Sequence, residues 1–231
     1  MSQTELDNAE LLTQSFLEFS LNIGALEFIS GEGRKLKSGR MSPYFFNSGL
    51  FTSGQAIERL IQMYKIAFLQ NKLGNELGVE VIFGPAYKGI TLAYGLALAL
   101  EDENIHYSFN RKEAKDHGEG GIIVGASLQG KRVLIVDDVI TSGQAIREAI
   151  DIIKAQGGIP VGCLVCFDRQ EKAPKSELSA IQQVEKDFEI PVFSAVTFTD
   201  IFPLIKNENF QYQHMLPAME AYRKQYGIET N

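Results

Sequence analysis

The chain has 231 residues, of which 45% are hydrophobic and 22% are charged, and this composition excludes extensive disorder and predicts a globular protein. The formal net charge of −7 argues against nucleic acid as the main partner, because surfaces that bind nucleic acid are usually basic. The longest apolar run, residues 90–100, is far shorter than the roughly 20 residues that span a bilayer, so we expect no membrane segment.

The beginning of the chain is acidic and lacks the basic start and apolar core of a signal peptide. Its two cysteines, Cys163 and Cys166, lie inside an apolar run, and the sequence offers no second pair to complete a zinc site. We therefore expect two buried core cysteines and a cytoplasmic protein.

Apolar residues at helical spacing predict a first helix over about residues 4–21. Residues 22–53 break that pattern with several glycines and Pro43, and they are locally basic, so we expect short strands and turns. A second amphipathic helix is predicted over about residues 54–71. We expect a single domain over residues 1–231, in which residues 1–53 contribute an N-terminal helix and a small hood lobe.

From about residue 79 to residue 200 strands and helices alternate, which predicts βαβ units with right-handed crossovers. The expected fold class is α/β, with a parallel sheet covered by helices on both faces. The predicted strands are residues 79–86, 105–110, 133–138, 159–168 and 190–198, and the predicted helices are residues 88–100, 142–156 and 176–188.

Two adjacent carboxylates, Asp137 and Asp138, close the apolar strand "VLIV". A helix is predicted to begin near Ser142, and its free N–H groups, with the hydroxyl of Thr141 and the close approach that Gly143 permits, form a phosphate cradle. The two acids would repel a phosphate unless they face sugar hydroxyls or a magnesium ion. The pattern therefore predicts a ligand in which a phosphate lies next to a ribose.

Two further strand ends carry unusual residues. In "GPAYKGI", residues 84–90, a turn precedes Lys88 at the head of a helix, where an anion would be favourable. The stretch "FNRKEAKDHGEGG", residues 109–121, is basic and rich in glycine, so we expect a mobile loop that closes over a polyanionic substrate. Asp116, His117 and Glu119 make only a weak case for a metal site, and we predict none.

The segment "VDDVITSGQA" closely resembles the ribose-phosphate signature of phosphoribosyltransferases, which use phosphoribosyl pyrophosphate (PRPP). "LKSGRMSPYFFNSG" (residues 36–49), "GPAYKGI", "RKEAKDHGEGG" and "FDRQE" (residues 167–171) follow in the order that resembles the orotate phosphoribosyltransferases. The resemblance implies the parallel-sheet phosphoribosyltransferase core, at about residues 79–200, and transfer of ribose 5-phosphate from PRPP to orotate in UMP synthesis. It also implies Mg²⁺, bound mainly through PRPP and pyrophosphate, and a homodimer with shared active sites.

The resemblance assigns roles by position. Lys115, His117, Asp137 and Asp138 are expected to be catalytic. PRPP is expected to contact Lys37, Tyr87, Lys88, Arg111, Lys112, Lys115, His117, Asp137, Asp138, Val139, Ile140, Thr141, Ser142, Gly143, Gln144 and Ala145. Orotate is expected to contact Phe45, Phe46, Thr141 and Arg169, since an arginine fork suits its carboxylate and adjacent phenylalanines can wall its ring. Arg111, Lys115 and His117 would reach into the neighbouring subunit's site, while Lys112 would serve its own.

Two other functions compete with this interpretation. A phosphoribosyltransferase for a purine base would share the motif at residues 137–145, but residues 36–49 and Arg169 favour orotate. A PRPP-binding regulator that has lost catalysis and binds nucleic acid is disfavoured by the intact basic segment and by the net charge of −7.

Overall fold

The computed structural model describes residues 3–115, 121–140 and 143–228. Its helices confirm the expected alternation with strands and add two near the C-terminus. They are α1 (Gln3–Asn22), α2 (Gly54–Gln70), α3 (Leu73–Glu76), α4 (Lys88–Leu100), α5 (Gln144–Ala155), α6 (Ala180–Phe188), α7 (Ile201–Lys206) and α8 (Leu216–Tyr226), with short 3-10 turns at Ser48–Leu50 and Gln213–Met215. In the described part of the chain no helix has the length and apolar character needed to cross a membrane.

The strands form one large sheet and two small two-stranded sheets. They are β1 (Leu26–Phe28), β2 (Arg34–Lys35), β3 (Met41–Ser42), β4 (Tyr44–Phe46), β5 (Val81–Gly84), β6 (His106–Lys115), β7 (Gly121–Gly125), β8 (Arg132–Asp137), β9 (Ile159–Asp168) and β10 (Val192–Thr197). The large sheet has the order β10-β9-β8-β5-β6-β7, while β1 pairs with β4 and β2 with β3. Strands β5, β6, β8 and β9 are parallel, as predicted.

The sequence analysis predicted a mobile loop over residues 109–121, and the structure corrects this prediction. Residues 109–115 continue strand β6, which pairs with β7. This pairing is antiparallel, so the sheet is parallel only up to that edge. The short run "GIIVG" carried the signal for β7, but the glycines at its ends suggested a loop instead. Residues 116–120, between the two strands, lie outside the described residues.

Helix α5 packs against the sheet through an apolar stripe at positions three and four residues apart. The stripe residues Ile146, Ile150 and Ile153 belong to the same buried cluster as Val133 and Ile135 of β8. Strand β8 is buried from Val133 to Asp137, which is the pattern of a strand covered on both faces. The same sheet buries Cys163 and Cys166 as free thiols, which confirms the prediction of two core cysteines.

The chain divides into two compact units. The first comprises Met1–Leu60, Phe167–Ser179 and Val196–Asn231, and the second comprises Ile61–Cys166 and Ala180–Ala195. The first unit begins with the residues predicted as a hood lobe, and it gathers two later segments because aromatic rings hold them together. Tyr44 is fully buried and stacks on Phe198 at 4.9 Å between ring centroids, with Tyr222 of α8 edge-on to it.

Candidate active site

The two predicted acids lie at the end of β8 in the second unit, and both are 8% exposed. Asp137 Oδ1 accepts a hydrogen bond of 2.9 Å from the backbone N–H of Asp138, and the buried Tyr64 hydroxyl donates to the Asp137 carbonyl at 2.8 Å. Burial, and then the neighbouring charge of Asp138, raise the pKa of Asp137 to about 6. The strand end therefore brings two acidic side chains together in a largely buried position.

Lys88, at the first turn of α4, pairs with Asp138 across 2.6 Å between Nζ and Oδ2. The lysine side chain is 59% exposed, whereas that of Asp138 is 11% exposed. The sequence analysis predicted that both residues contact PRPP, but it did not predict that they pair with each other. In the structure the strand ends of β5 and β8 bring these two opposite charges together, because β5 and β8 are neighbouring parallel strands.

The turn between β5 and α4 is held by close backbone packing. A side chain at Gly84 would collide with the carbonyl of Gly89, and one at Gly89 would lie 2.7 Å from the carbonyl oxygen of Val136. Parallel pairing of Gly84 with Phe109 places Asn110 beside the turn, where its Oδ1 accepts a 3.0 Å hydrogen bond from the N–H of Ala86. The Ala86–Tyr87 peptide bond is cis. The turn presents Tyr87 at 73% exposure directly before Lys88.

The structure describes part of the segment after β8 that was predicted as a phosphate cradle. Val139 and Ile140 are half-buried, and Gly143 takes a left-handed conformation with φ of 76° before α5. A side chain at Gly143 would come within 2.9 Å of Val184, so glycine is required here for its conformation and for its size. Gln144 and Ala145 are exposed in the first turn of α5. Thr141 and Ser142 lie outside the described residues.

The basic residues divide between the described and the undescribed parts of the chain. Arg111 is half-buried on β6 and donates to the Gly121 carbonyl at 3.2 Å, and Lys112 next to it is exposed. Lys115 ends β6, but its side chain lies outside the described residues, as does all of His117.

Three of the four residues expected to bind orotate, Phe45, Phe46 and Arg169, lie in the first unit, and the fourth, Thr141, lies outside the described residues. The rings of Phe45 and Phe46 do not wall one ligand together, because neighbouring residues on a strand point to opposite faces. Phe46 is 8% exposed and stacks on Phe167 at 4.8 Å, whereas Phe45 is half-buried beneath the guanidinium of Arg34. A role for Phe46 in binding stays a prediction that rests on its backbone groups. Lys37 is exposed in the turn between β2 and β3.

Arg169 follows directly after β9, and its guanidinium is already engaged. Nε donates to Glu171 Oε1 at 2.9 Å, Nη2 lies 2.7 Å from the same oxygen, and Nη2 also donates to Ser42 Oγ at 3.2 Å. The guanidinium lies 4.3 Å from the centroid of the Tyr44 ring. Burial by itself lowers the pKa of Arg169, but Tyr44 and Glu171 oppose this, and the net pKa is raised. The arginine is thus held firmly in its charged form.

Four residues that support the predicted site escaped sequence reasoning. They are Tyr64, Asn110, Ser42 and Glu171. Each lies distant in sequence from the residue it supports or carries an ordinary side chain in an ordinary context. The one available signal was the acid of "FDRQE", two residues after the predicted arginine.

The described residues fit a magnesium ion that arrives with a phosphorylated ligand. Among them there is no group of three or more His, Cys, Asp and Glu side chains able to hold a metal. Asp137 and Asp138 supply two buried carboxylates, and Mg²⁺ is commonly bound by one or two carboxylates together with substrate phosphates.

Comparison with known proteins identifies the class of this fold and site. The family model for the phosphoribosyl transferase domain matches residues 52–197. That range includes the turn before α4, the basic hairpin, the two acids and the start of α5, so the fold and the site define a phosphoribosyltransferase.

Individual relatives identify the family to which this chain belongs within the phosphoribosyltransferase class. The orotate phosphoribosyltransferase of Pseudomonas aeruginosa is 51% identical over 93% of this chain and 98% of that protein, and the one of Pseudomonas putida is 50% identical over the same shares. The crystal structure of the Francisella tularensis orotate phosphoribosyltransferase superposes with a TM-score of 0.80, at 38% identity over 92% of this chain and 99% of that one. The chain therefore belongs to the orotate phosphoribosyltransferase family.

Proposed function

We infer that this chain transfers the ribose 5-phosphate group of PRPP to orotate, giving orotidine 5′-monophosphate and pyrophosphate in pyrimidine biosynthesis. The observation that carries this function is the buried acid pair at the end of β8, followed by the left-handed Gly143 and the open first turn of α5. Carboxylates accept hydrogen bonds from ribose hydroxyls, and the N-terminus of a helix attracts a phosphate. Membership of the orotate phosphoribosyltransferase family supports the choice of orotate as the base.

Asp137 and Asp138 would hold the two ribose hydroxyls, and residues 139–145 would hold the 5′-phosphate. Lys88, Tyr87, Lys37 and the basic hairpin would receive the pyrophosphate. Asp138 and Lys88 form an ion pair, and PRPP would offer each a new partner, a hydroxyl for the acid and a phosphate for the lysine. Ligand binding would thus exchange one ion pair for two charge-assisted contacts.

The chemistry needs no protein nucleophile when positive charge develops on the ribose and negative charge on the leaving pyrophosphate. The enzyme then acts by positioning and by electrostatic stabilisation. Lys115 and His117 are proposed to stabilise the leaving group, and losing Lys115 alone would slow the reaction by about a hundredfold. Mg²⁺ bound with PRPP would supply further positive charge at the pyrophosphate, held on the protein side by Asp137 and Asp138.

The active form would be a homodimer with shared sites. Helix α4 supports this assembly because Thr91, Tyr94 and Leu98 lie on one face, and the two larger side chains are 57% and 66% exposed. Arg111, Lys115 and His117 would act in the partner's site, and Lys112 in its own. Mixing an Arg111→Ala variant with a Lys37→Ala variant should then restore activity through hybrid dimers. Absence of rescue after proven subunit exchange would contradict shared sites.

A direct assay tests the reaction. The protein is incubated with PRPP, magnesium and one base at a time, and pyrophosphate release is followed. Release with orotate, lost in the Asp137→Asn/Asp138→Asn variant, is the expected result. Release with hypoxanthine but not orotate would favour a purine-base enzyme. Nucleic-acid binding at physiological salt without turnover would favour a regulator. A cytoplasmic location is part of the proposal and suits the two free thiols.

A further inference from the structure

Three charged side chains meet inside the first unit, where Glu171 lies between Arg40 and Arg169. Glu171 Oε1 lies 2.7 Å from Arg169 Nη2, and Glu171 Oε2 lies 3.5 Å from Arg40 Nη1. All three side chains are largely buried, with exposed fractions of 11% for Glu171, 15% for Arg40 and 24% for Arg169. Solvent ions screen charges at this depth only weakly, so the net charge of the cluster strongly affects which charged ligands bind beside it.

The carboxylate of Glu171 fixes the orientation of Arg169. Its Oε1 accepts from both Nε and Nη2, which occupies one edge of the guanidinium, while the Tyr44 ring covers one face at 4.3 Å. Tyr44 in turn donates its hydroxyl to Glu171 Oε1 at 3.3 Å. The contacts with Glu171 and Ser42 use Nε and Nη2, so they hold the guanidinium by the edge that carries these two nitrogens, and Nη1 lies on the other edge.

The cluster also has the charge that a single carboxylate requires. Two guanidinium groups and one carboxylate leave one net positive charge, which one anionic group of a ligand can neutralise. Removing Glu171 would leave two arginines without their shared counter-charge, and it would release the edge of Arg169 that Glu171 holds.

We propose that Glu171 is a positioning residue for orotate: it presents Arg169 to the orotate carboxylate and, with Arg40, sets the net charge of the group that receives it. This rests on the proposed function and on the expectation, implied by the family resemblance, that Arg169 binds that carboxylate. Glu171 acts through Arg169 and does not touch the substrate.

The backbone around Arg169 is anchored independently of the Glu171 side chain, so the two roles can be separated. The Asp168 carbonyl accepts from Phe198 N–H at 2.8 Å, and the Gln170 carbonyl accepts from Ile228 N–H at 3.0 Å. The Gln170 side chain accepts from both the N–H and the hydroxyl of Thr199. Replacing the Glu171 carboxylate therefore changes the guanidinium of Arg169 and leaves its loop in place.

The test compares the full-length wild-type protein with Glu171→Gln, Glu171→Asp and a control, Glu177→Gln. Glu177 is an acid of the same segment, its side chain is 87% exposed, and it pairs with Lys172. For each protein the KM for orotate, the KM for PRPP and kcat are measured. We expect Glu171→Gln to raise the orotate KM at least about tenfold and to leave the PRPP KM within about twofold, because one oriented charged contact is lost. Glu171→Asp keeps the negative charge on a shorter side chain, so its orotate KM should lie between those of the wild type and Glu171→Gln. The control Glu177→Gln should have the same kinetic constants as the wild type.

The outcomes separate this proposal from the function on which it rests. Wild-type protein that does not turn over orotate overturns both. Normal wild-type turnover with an unchanged orotate KM in Glu171→Gln overturns the positioning role alone. Equal rises in both KM values indicate a merely structural residue and also overturn it. Should Glu171→Gln fail to fold, Glu171→Asp carries the test, and its orotate KM must rise at least about threefold while the PRPP KM is unchanged.

Discussion

The two charged regions of this molecule handle charge in opposite ways. At the end of β8 two like charges lie side by side and buried, and the pKa of Asp137 is raised to about 6. In the cluster of Arg40, Glu171 and Arg169 opposite charges alternate, and the pKa of Arg169 is raised, which favours its charged form. In the first region burial and the neighbouring charge disfavour the charged form of Asp137, whereas in the second region opposite charges stabilise one another.

The difference teaches that buried charge has two uses in one protein. The acid pair stores an electrostatic penalty that hydroxyl donors or a cation on the ligand can relieve, so it favours binding at the expense of folding. The arginine cluster holds its guanidinium in a fixed orientation, so it favours selectivity for a planar carboxylate. Substitutions in the two regions should therefore affect binding in parallel but stability in opposite directions.

The largest effect is expected when the acid pair is neutralised. Asp137→Asn/Asp138→Asn should weaken PRPP binding by about a thousandfold, because each hydrogen bond to a charged group contributes about 1.5–3 kcal/mol. Titration calorimetry with PRPP and magnesium measures it, and circular dichroism checks the fold. Asp151→Asn, an exposed acid on α5, is the matched control and should bind normally. PRPP affinity within tenfold of the wild type in the double variant would disprove the ribose contact.

The next effect concerns the arginine of the other region. Arg169→Gln should raise the orotate KM by about a hundredfold with little change in the PRPP KM, because the ligand carboxylate loses a charged partner. Arg169→Lys keeps the charge without the planar fork and should recover only part of the affinity. Steady-state kinetics with each substrate varied in turn measure both, with Lys224→Gln on α8 as the exposed control. A rise confined to the PRPP KM would show that Arg169 contacts PRPP and would contradict its assignment to orotate.

A smaller effect is expected on the pH dependence of the free energy of unfolding, because the buried charge of Asp137 at the end of β8 is unfavourable. The folded protein holds the proton of Asp137 with a pKa of about 6 against an ordinary 3.8, so its stability should fall as pH rises from about 4 to about 6. Asp137→Asn removes this loss and should be more stable than the wild type by about 3 kcal/mol above pH 7, but by well under 1 kcal/mol near pH 4. Urea unfolding at both pH values measures the difference. A variant less stable than the wild type above pH 7 would show that no penalty is stored there.

The two regions also differ in how far the sequence predicts them. The acid pair, Gly143 and Lys88 lie in short contiguous motifs at strand ends, where the chemistry of a few adjacent residues and the geometry of a parallel sheet predict a common site. The alternation from residue 79 to residue 200 predicted the central strands and helices for the same reason, since each element carries its own periodicity. The pairing of Lys88 with Asp138 still needed the structure.

The arginine cluster could not be predicted in this way. Arg40, Tyr44, Arg169 and Tyr222 come from three distant segments, and only the folded first unit brings them together. Pattern reasoning predicted the first part of β6 but assigned residues 109–121 to a mobile loop, because charged residues and glycines hide an exposed edge hairpin. It treated Phe45 and Phe46 as equivalent, although alternation along β4 makes the ring of Phe45 half-buried and the ring of Phe46 buried in the core.

The last prediction concerns the same quantity, the free energy of unfolding, but with the opposite sign to that expected for Asp137→Asn. Glu171→Gln should lower the free energy of unfolding by about 1–2 kcal/mol at neutral pH, because Arg40 and Arg169 stay buried without the carboxylate between them. The protein stays folded at this loss, so the substrate measurements remain interpretable. Urea unfolding against Glu177→Gln, which should equal the wild type, isolates the buried ion pair from a simple loss of one negative charge. If Glu171→Gln were as stable as the wild type, the Tyr44 ring and the backbone anchors would hold Arg169 without Glu171, and the opposition between the two regions would reduce to the acid pair alone.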